Sequence, residues 1–277
     1  MVTFWPHPRT VLQQDAREFR ILTSLEEKKA LLLAAGIDRV EVIPFTREFA
    51  AMKADEYLQL LADKYGASLV VMGYDNRIGS DRLTIDALTG AFESQKPSSL
   101  RSLSLPTSLR AVGPLPFTWP RAAMVSEDSN APVISSTKIR KALQEGRVEE
   151  ANGMLGYRYG LYGVVVAGNQ MGRTMGFPTA NMQLYEPLKL VPANGVYAVE
   201  AEVLGTTYKG MCNIGMRPTV GGASRTIETH ILDFDQDIYG LDIKVSFVRK
   251  IRDEVRFSSL EELAGQLARD KELINKK

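Results

Sequence analysis

The sequence predicts two domains: an α/β unit on a parallel sheet over residues 1–153, and a small antiparallel β-barrel with a C-terminal helix over residues 154–277. Three observations carry this reading. A length of 277 residues accommodates about two hydrophobic cores. Apolar runs alternate with amphipathic helical stretches through Asp75, the pattern of a parallel α/β sheet. Beyond Leu161 the chain changes to closely spaced β-rich segments separated by Gly, Pro and Asp turns, which a closed barrel accommodates without exposed edges.

Val2 to Trp5 reads as a short strand. Ser24-Leu-Glu-Glu27 is a capping box that opens a helix running to about Ala35, and Gly36 stops it. Arg39 to Phe45 is a second strand. Ala54 to Tyr65 forms a helix with Tyr57, Leu60 and Leu61 on its apolar face, ended by Gly66 and followed by the strand Ser68 to Gly73. Parallel strands place ligands at their carboxyl ends, here Trp5 to His7, Pro44 to Thr46 and Gly73 to Asp75. Residues 82–131 are rich in Ser, Leu and Pro and receive no assignment. Ser135 begins a further helix that Gly146 terminates, and Arg147 to Gly156 forms a short helix or connector. The barrel strands expected are Leu161 to Ala167, Val196 to Leu204, Lys209 to Ile214, Ile227 to Phe234 and Ile243 to Val248. A last helix, Ser259 to Ile274, sets Leu260, Leu263, Ala264 and Leu267 on the face that packs against them.

Composition excludes several function classes. With 34 basic and 33 acidic residues the net charge is +1, so no field favours nucleic acid or an anionic membrane. Cys212 is the only cysteine, which rules out a disulfide within the chain and a cysteine-based zinc site. The first residues carry neither a basic nor an apolar targeting region, and no run is long enough to cross a bilayer. A cytoplasmic protein is expected.

The densest chemistry lies in Gly172-Arg-Thr-Met-Gly-Phe-Pro-Thr-Ala-Asn181. Proline pushes its predecessor to extended geometry, so this loop cannot be helical. It can bring backbone N–H groups, Arg173 and the Thr179 hydroxyl onto a phosphate and its metal. Thr179 and Asn181 alternate along an extended segment, so both face one side and offer hard oxygen ligands that magnesium accepts. Glu228 opens an alternating strand and shares a face with His230. Neither Gly-x-x-x-x-Gly-Lys-Ser/Thr nor Gly-x-Gly-x-x-Gly occurs, so a P-loop or protein-kinase site has no support. Asp233 to Asp237 starts like a calcium loop, but Ile238 and Lys244 occupy the positions that need glycine and a bidentate glutamate.

The decapeptide, with Pro192 to Tyr197, Asn213 to Thr219 and Glu228 to Phe234 following in order, resembles the riboflavin kinase signature of the bacterial bifunctional riboflavin kinase and FMN adenylyltransferase (FAD synthetase) family. The resemblance implies transfer of the ATP γ-phosphoryl group to riboflavin, giving FMN. It implies a phosphate cradle at Gly172, Arg173 and Gly176, magnesium held by Thr179 and Asn181, and Glu228 as catalytic base for the ribityl 5′-hydroxyl. Arg256 corresponds to a region near the flavin. In the first domain, Phe4 to Arg9, Pro44 to Phe49, Val71 to Asp75 and Ile134 to Arg140 resemble the family's nucleotidyltransferase-like domain. There Ser135, Ser136, Thr137, Lys138 and Arg140 stand at the anion-binding start of a helix. The departure is that His7 and His230 are the only histidines, so the family's His-x-Gly-His is missing, as are the strand and helix that carry it. Asp75 to Gly79 also replaces the usual Asp-Phe-x-Phe-Gly. Three readings follow: a riboflavin kinase with an incomplete adenylyltransferase domain, a full FAD synthetase whose opening residues are absent from this sequence, or a non-catalytic flavin-binding module.

Overall fold

The computed structural model describes residues 1–12, 19–67, 70–73, 77–84, 87, 109–112, 134–168, 176–219, 222–255 and 257–275. The chain divides into two compact units, one of Met1–Phe19 with Leu31–Ser129, the other of Arg20–Ala30 with Asn130–Lys277.

In the first unit β1 (Val2–Trp5) is followed by α1 (Pro8–Leu12); α2 (Leu25–Ala34), whose residues through Ala30 belong to the second unit, leads to β2 (Glu41–Pro44) of the first. The two strands pair in parallel, Val2 opposite Glu41 and Trp5 opposite Pro44. The expected capping box forms at the start of α2: Glu27 N donates to Ser24 Oγ at 3.2 Å, and Ser24 N to Glu27 Oε2 at 2.6 Å. Next come α3 (Arg47–Ala51), capped by Thr46, and α4 (Ala54–Tyr65), closed by Gly66 at φ 63°. Phe4, Phe49 and Tyr57 join β1 to these helices, with ring centroids 5.4 Å apart for Phe4–Phe49 and 5.7 Å for Phe49–Tyr57. The third strand departs from expectation. Among the described residues, β3 (Val70–Gly73) pairs antiparallel with β4 (Leu109–Val112) and with neither β1 nor β2. Hydrophobic pattern identifies a strand without naming its partner, and this partner lies in the stretch the sequence left unassigned.

The second unit is built on a closed six-stranded barrel in the order β10-β5-β6-β9-β8-β7. Its strands are β5 (Gly160–Val166), β6 (Ala180–Leu184), β7 (Gly195–Val203), β8 (Thr206–Thr219), β9 (Gly222–Ile231) and β10 (Asp242–Arg252). Five match the expected β-rich segments. The sixth, β6, begins within the Pro-Thr-Ala-Asn motif and runs on to Leu184. Tyr197, Val199, Ala201 and Val203 point from β7 into the barrel, with Cys212, Ile214, Val245 and Phe247. The alternate residues Val196 and Ala198 meet Met211, Leu232 and Ile274 in a second cluster outside it. Both faces of β7 are therefore covered over its first half, where Val196 to Val199 is unbroken apolar, and Glu200 and Glu202 take the outward positions beyond.

Two short helices, α5 (Ser136–Gln144) and α6 (Val148–Leu155), add Leu143, Val148 and Ala151 to the barrel core. The helix α7 (Leu260–Asn275) packs through its second half, where Asp270 and Ile274 are buried and Leu267 is half-buried, while Leu260 is exposed. Asp270, fully buried, accepts from Arg252 Nε at 2.9 Å and from Gln266 at 2.8 Å, so a paired charge replaces an apolar contact at this seam. Lys189 is buried as well. Its ammonium reaches Leu22 O at 2.7 Å and both Glu27 oxygens at 2.7 and 2.6 Å, and lies over the Tyr159 ring. All three ammonium donors have acceptors, which makes the burial tolerable. Among the described residues, no helix is long and apolar enough to cross a membrane.

Candidate functional site

Strand register assembles the candidate site. On β9, Glu228 stands opposite Asn181 of β6 on one side and opposite Asn213 of β8 on the other. Directly opposed residues project to the same face, with Cβ atoms about 4.5–5.5 Å apart. This face lies outside the barrel, because the flanking Ile227 and Thr229 point inward and are buried. Glu228 is half-buried. Its Oε1 accepts from Arg217 Nη2 at 2.9 Å, and Arg217 shares the outward register of Asn213 and Gly215 on β8. Three residue types thus converge: a carboxylate, carboxamides and a guanidinium.

The approach to Asn181 is shaped by glycine. A Cβ on Gly168 would lie 2.0 Å from Asn181 Nδ2, so the carboxamide rests on bare backbone. Just upstream, Gly176 takes φ 79°, a left-handed turn that releases the chain into Phe177-Pro178-Thr179. His230, two residues beyond Glu228, donates from Nδ1 to the Pro178 carbonyl at 2.9 Å and meets the Phe177 ring at 5.2 Å. Burial, the larger influence, lowers the imidazole pKa below its ordinary 6.5 against that hydrogen bond. The ring is therefore neutral at pH 7 and anchors the segment that carries Thr179. Thr179 in turn lines a cavity of about 270 Å³ with Val165, Ile231, Phe234, Asp235 and Tyr239. Cys212 lies inside the barrel, where burial pushes its thiol up to about 12, so it is no nucleophile.

Of the residues singled out from sequence, Asn181 of β6 and Glu228 of β9 are directly opposed, and Thr179 lies in the segment immediately before β6. Gly176 borders it. Gly172, Arg173 and Arg256 lie outside the described residues. Ser135, Ser136, Thr137, Lys138 and Arg140 sit at the start of α5 in the barrel unit. There Ser135 Oγ accepts from Lys138 N at 3.3 Å as the N-cap, and Arg140 Nε donates to Arg20 O at 3.0 Å. The first is a local helix cap, and the second ties α5 to a distant stretch of the chain. Asn213 and Arg217 received no role from sequence. The signal was the Asn213 to Thr219 segment itself, whose alternation places both on the face of Glu228.

Comparison with known proteins covers both units. The family model for riboflavin kinase matches residues 155–277, and that for FAD synthetase matches residues 1–102. A bifunctional riboflavin kinase/FMN adenylyltransferase of Bacillus subtilis is 33% identical over 276 residues, 98% of this chain and 80% of the relative. One from Escherichia coli K12 is 35% identical over 272 residues, covering 98% of this chain and 79% of the relative. A solved Streptococcus pneumoniae chain described as a macrolide-efflux protein superposes with a TM-score of 0.81 at 30% identity, covering 100% of this chain and 83% of its own.

Proposed function

The chain belongs to the bifunctional riboflavin kinase/FMN adenylyltransferase family, and on that premise we propose how its barrel performs the riboflavin kinase reaction of FMN and FAD biosynthesis. The single observation that supports the assignment of roles is the cross-strand alignment of Asn181 with Glu228 beside Thr179. Phosphoryl transfer needs alignment, charge neutralisation and an acceptor for the hydroxyl proton more than it needs covalent help. The riboflavin 5′-hydroxyl oxygen attacks Pγ of ATP, the bond from Pγ to the bridging oxygen breaks and ADP leaves. The hydroxyl proton passes to the Glu228 carboxylate.

A divalent cation, magnesium in this reading, fits the donor set. Among the described residues no cluster of three His, Cys, Asp or Glu side chains could hold a metal alone. Magnesium commonly keeps one or two protein oxygens and takes the rest from phosphate and water. The Thr179 hydroxyl and the Asn181 carboxamide oxygen are such ligands, and the cation would neutralise charge on the ATP phosphates. Gly172, Arg173 and Gly176 supply the phosphate cradle, and the cavity at Thr179 takes the nucleotide end. Arg256 is proposed at the flavin side.

The test is Glu228→Gln, which keeps volume but cannot take up the proton. Its turnover number is expected to fall roughly 10²- to 10⁴-fold with riboflavin binding retained. A near-normal turnover number would remove Glu228 from the chemistry.

A further inference from the structure

We propose that Arg217 is the positioning residue of Glu228: it holds one carboxylate oxygen so that the other is presented to the substrate hydroxyl. The proposal rests on the reading of Glu228 as the base. Arg217 Nη2 donates to Glu228 Oε1 at 2.9 Å, with the two side chains 34% and 23% exposed. A surface ion pair of two mobile side chains would carry little meaning. This one is held at both ends.

At the arginine end, Arg217 precedes Pro218, and a residue before proline is confined to extended backbone. Its place is fixed further by pairing with Ser224 across β8 and β9. At the glutamate end, Glu228 lies between two paired strands, opposite Asn181 and Asn213. Register puts Gly215 opposite Thr226, between the Arg217–Ser224 and Asn213–Glu228 pairs. Arg217 therefore reaches along the strands past a residue without a side chain. The room over Gly215 is also shaped from the far side. Glu254, from the segment after β10, brings its carboxylate to 2.4 Å of where a Gly215 Cβ would lie, and accepts from Asn194 Nδ2 at 3.3 Å. A second carboxylate thus stands over the same strand, while the guanidinium bonds to Glu228.

The consequence is chemical. A carboxylate free to rotate offers its proton-accepting lone pairs in many directions, whereas one oxygen tied to Arg217 leaves Oε2 as the acceptor in a fixed direction. A base misdirected by a fraction of an ångström loses rate without losing substrate affinity, because the affinity comes from other contacts. Arginine serves here because its planar guanidinium reaches the carboxylate with donors in a fixed geometry.

A double-mutant cycle in the full chain tests this, with FMN formation followed as riboflavin and ATP are each varied at saturating magnesium. Arg217→Gln is expected to lower kcat on the order of tenfold to a hundredfold, with KM for both substrates changed less than about threefold. Arg217→Lys, which keeps the charge, is expected to recover part of the loss. In a Glu228→Gln background, Arg217→Gln is expected to cost almost nothing more, since the residue it positions no longer acts as a base. If the two losses multiply, or if the effect falls on KM for ATP, Arg217 acts on something other than Glu228 and the proposal fails. If Glu228→Gln alone leaves kcat unchanged, the reading of the base fails first. A thermal melt of each variant separates unfolding from both outcomes.

Discussion

Asn181 and Glu228 are distant in sequence and adjacent in space, and residue chemistry in this protein acts through such register pairs. Thr179 and Asn181 were legible as oxygen donors because alternation in an extended segment is a local property. The partner of Glu228, Arg217, was not legible, because a side chain's reach across two strands depends on the register of a long hairpin. His230 illustrates the same limit. The sequence places it on the face of Glu228, and the structure adds what it holds: the Pro178 carbonyl, immediately before Thr179. Burial lowers its folded pKa below 6.5, so its contribution to stability is complete above the unfolded value and is lost as pH falls through the folded one. His230→Asn retains a donor but does not titrate. The melting-temperature advantage of the native protein over this variant is therefore expected to be larger near about pH 7.5 than near about pH 5. A difference independent of pH would show that the imidazole is not buried as a neutral ring.

Among the elements, two glycines on one side of the barrel make opposite predictions. A Cβ on Gly163 would lie 2.2 Å from the Gln183 backbone oxygen on the neighbouring strand, where nothing can yield without disturbing the β5–β6 ladder. Gly163→Ala is expected to destabilise by about 1–3 kcal/mol. A Cβ on Gly168 would meet only the Asn181 carboxamide, which can rotate away. Gly168→Ala is expected to keep its melting temperature while raising the magnesium and ATP concentrations needed for half-maximal rate. Chemical denaturation beside a metal titration checks both, and equal loss of stability in the two variants would contradict the packing described. Capping boxes, glycine stops and five barrel strands were readable because their signals are local. β6 was read for its chemistry and not as a strand, being short and opening on a Pro-Thr step. The partner of β3 was hidden because pairing is a long-range choice. The face of α7 was legible through Leu267, but Leu260 at its start is exposed, and its continuation to Asp270 was hidden because Asp270 counts as polar in any hydrophobic pattern, yet it is buried against Arg252.

For the molecule as a whole, a net charge of +1 supplies no long-range field for a polyanion. Recognition is left to short-range contacts at the barrel surface. The two-unit division was legible from the change in pattern along the chain. That α5 and α6 pack with the barrel was not, since an amphipathic stripe does not name the surface it covers. Adenylyl transfer develops charge on phosphate that preorganised donors must meet, and these 277 residues contain two histidines and no His-x-Gly-His. A polypeptide of this sequence is expected to form FMN and to convert it to FAD negligibly. Sustained FAD accumulation, by chromatography and mass, would show that the remaining groups suffice. The most direct test of the central claim is a single-turnover reaction with ATP isotopically labelled at the γ-phosphoryl group, analysed by mass spectrometry of the flavin. Label is expected in FMN with one ADP per FMN formed, and that transfer is expected to be lost in Glu228→Gln. Label released as inorganic phosphate with riboflavin unchanged would contradict it.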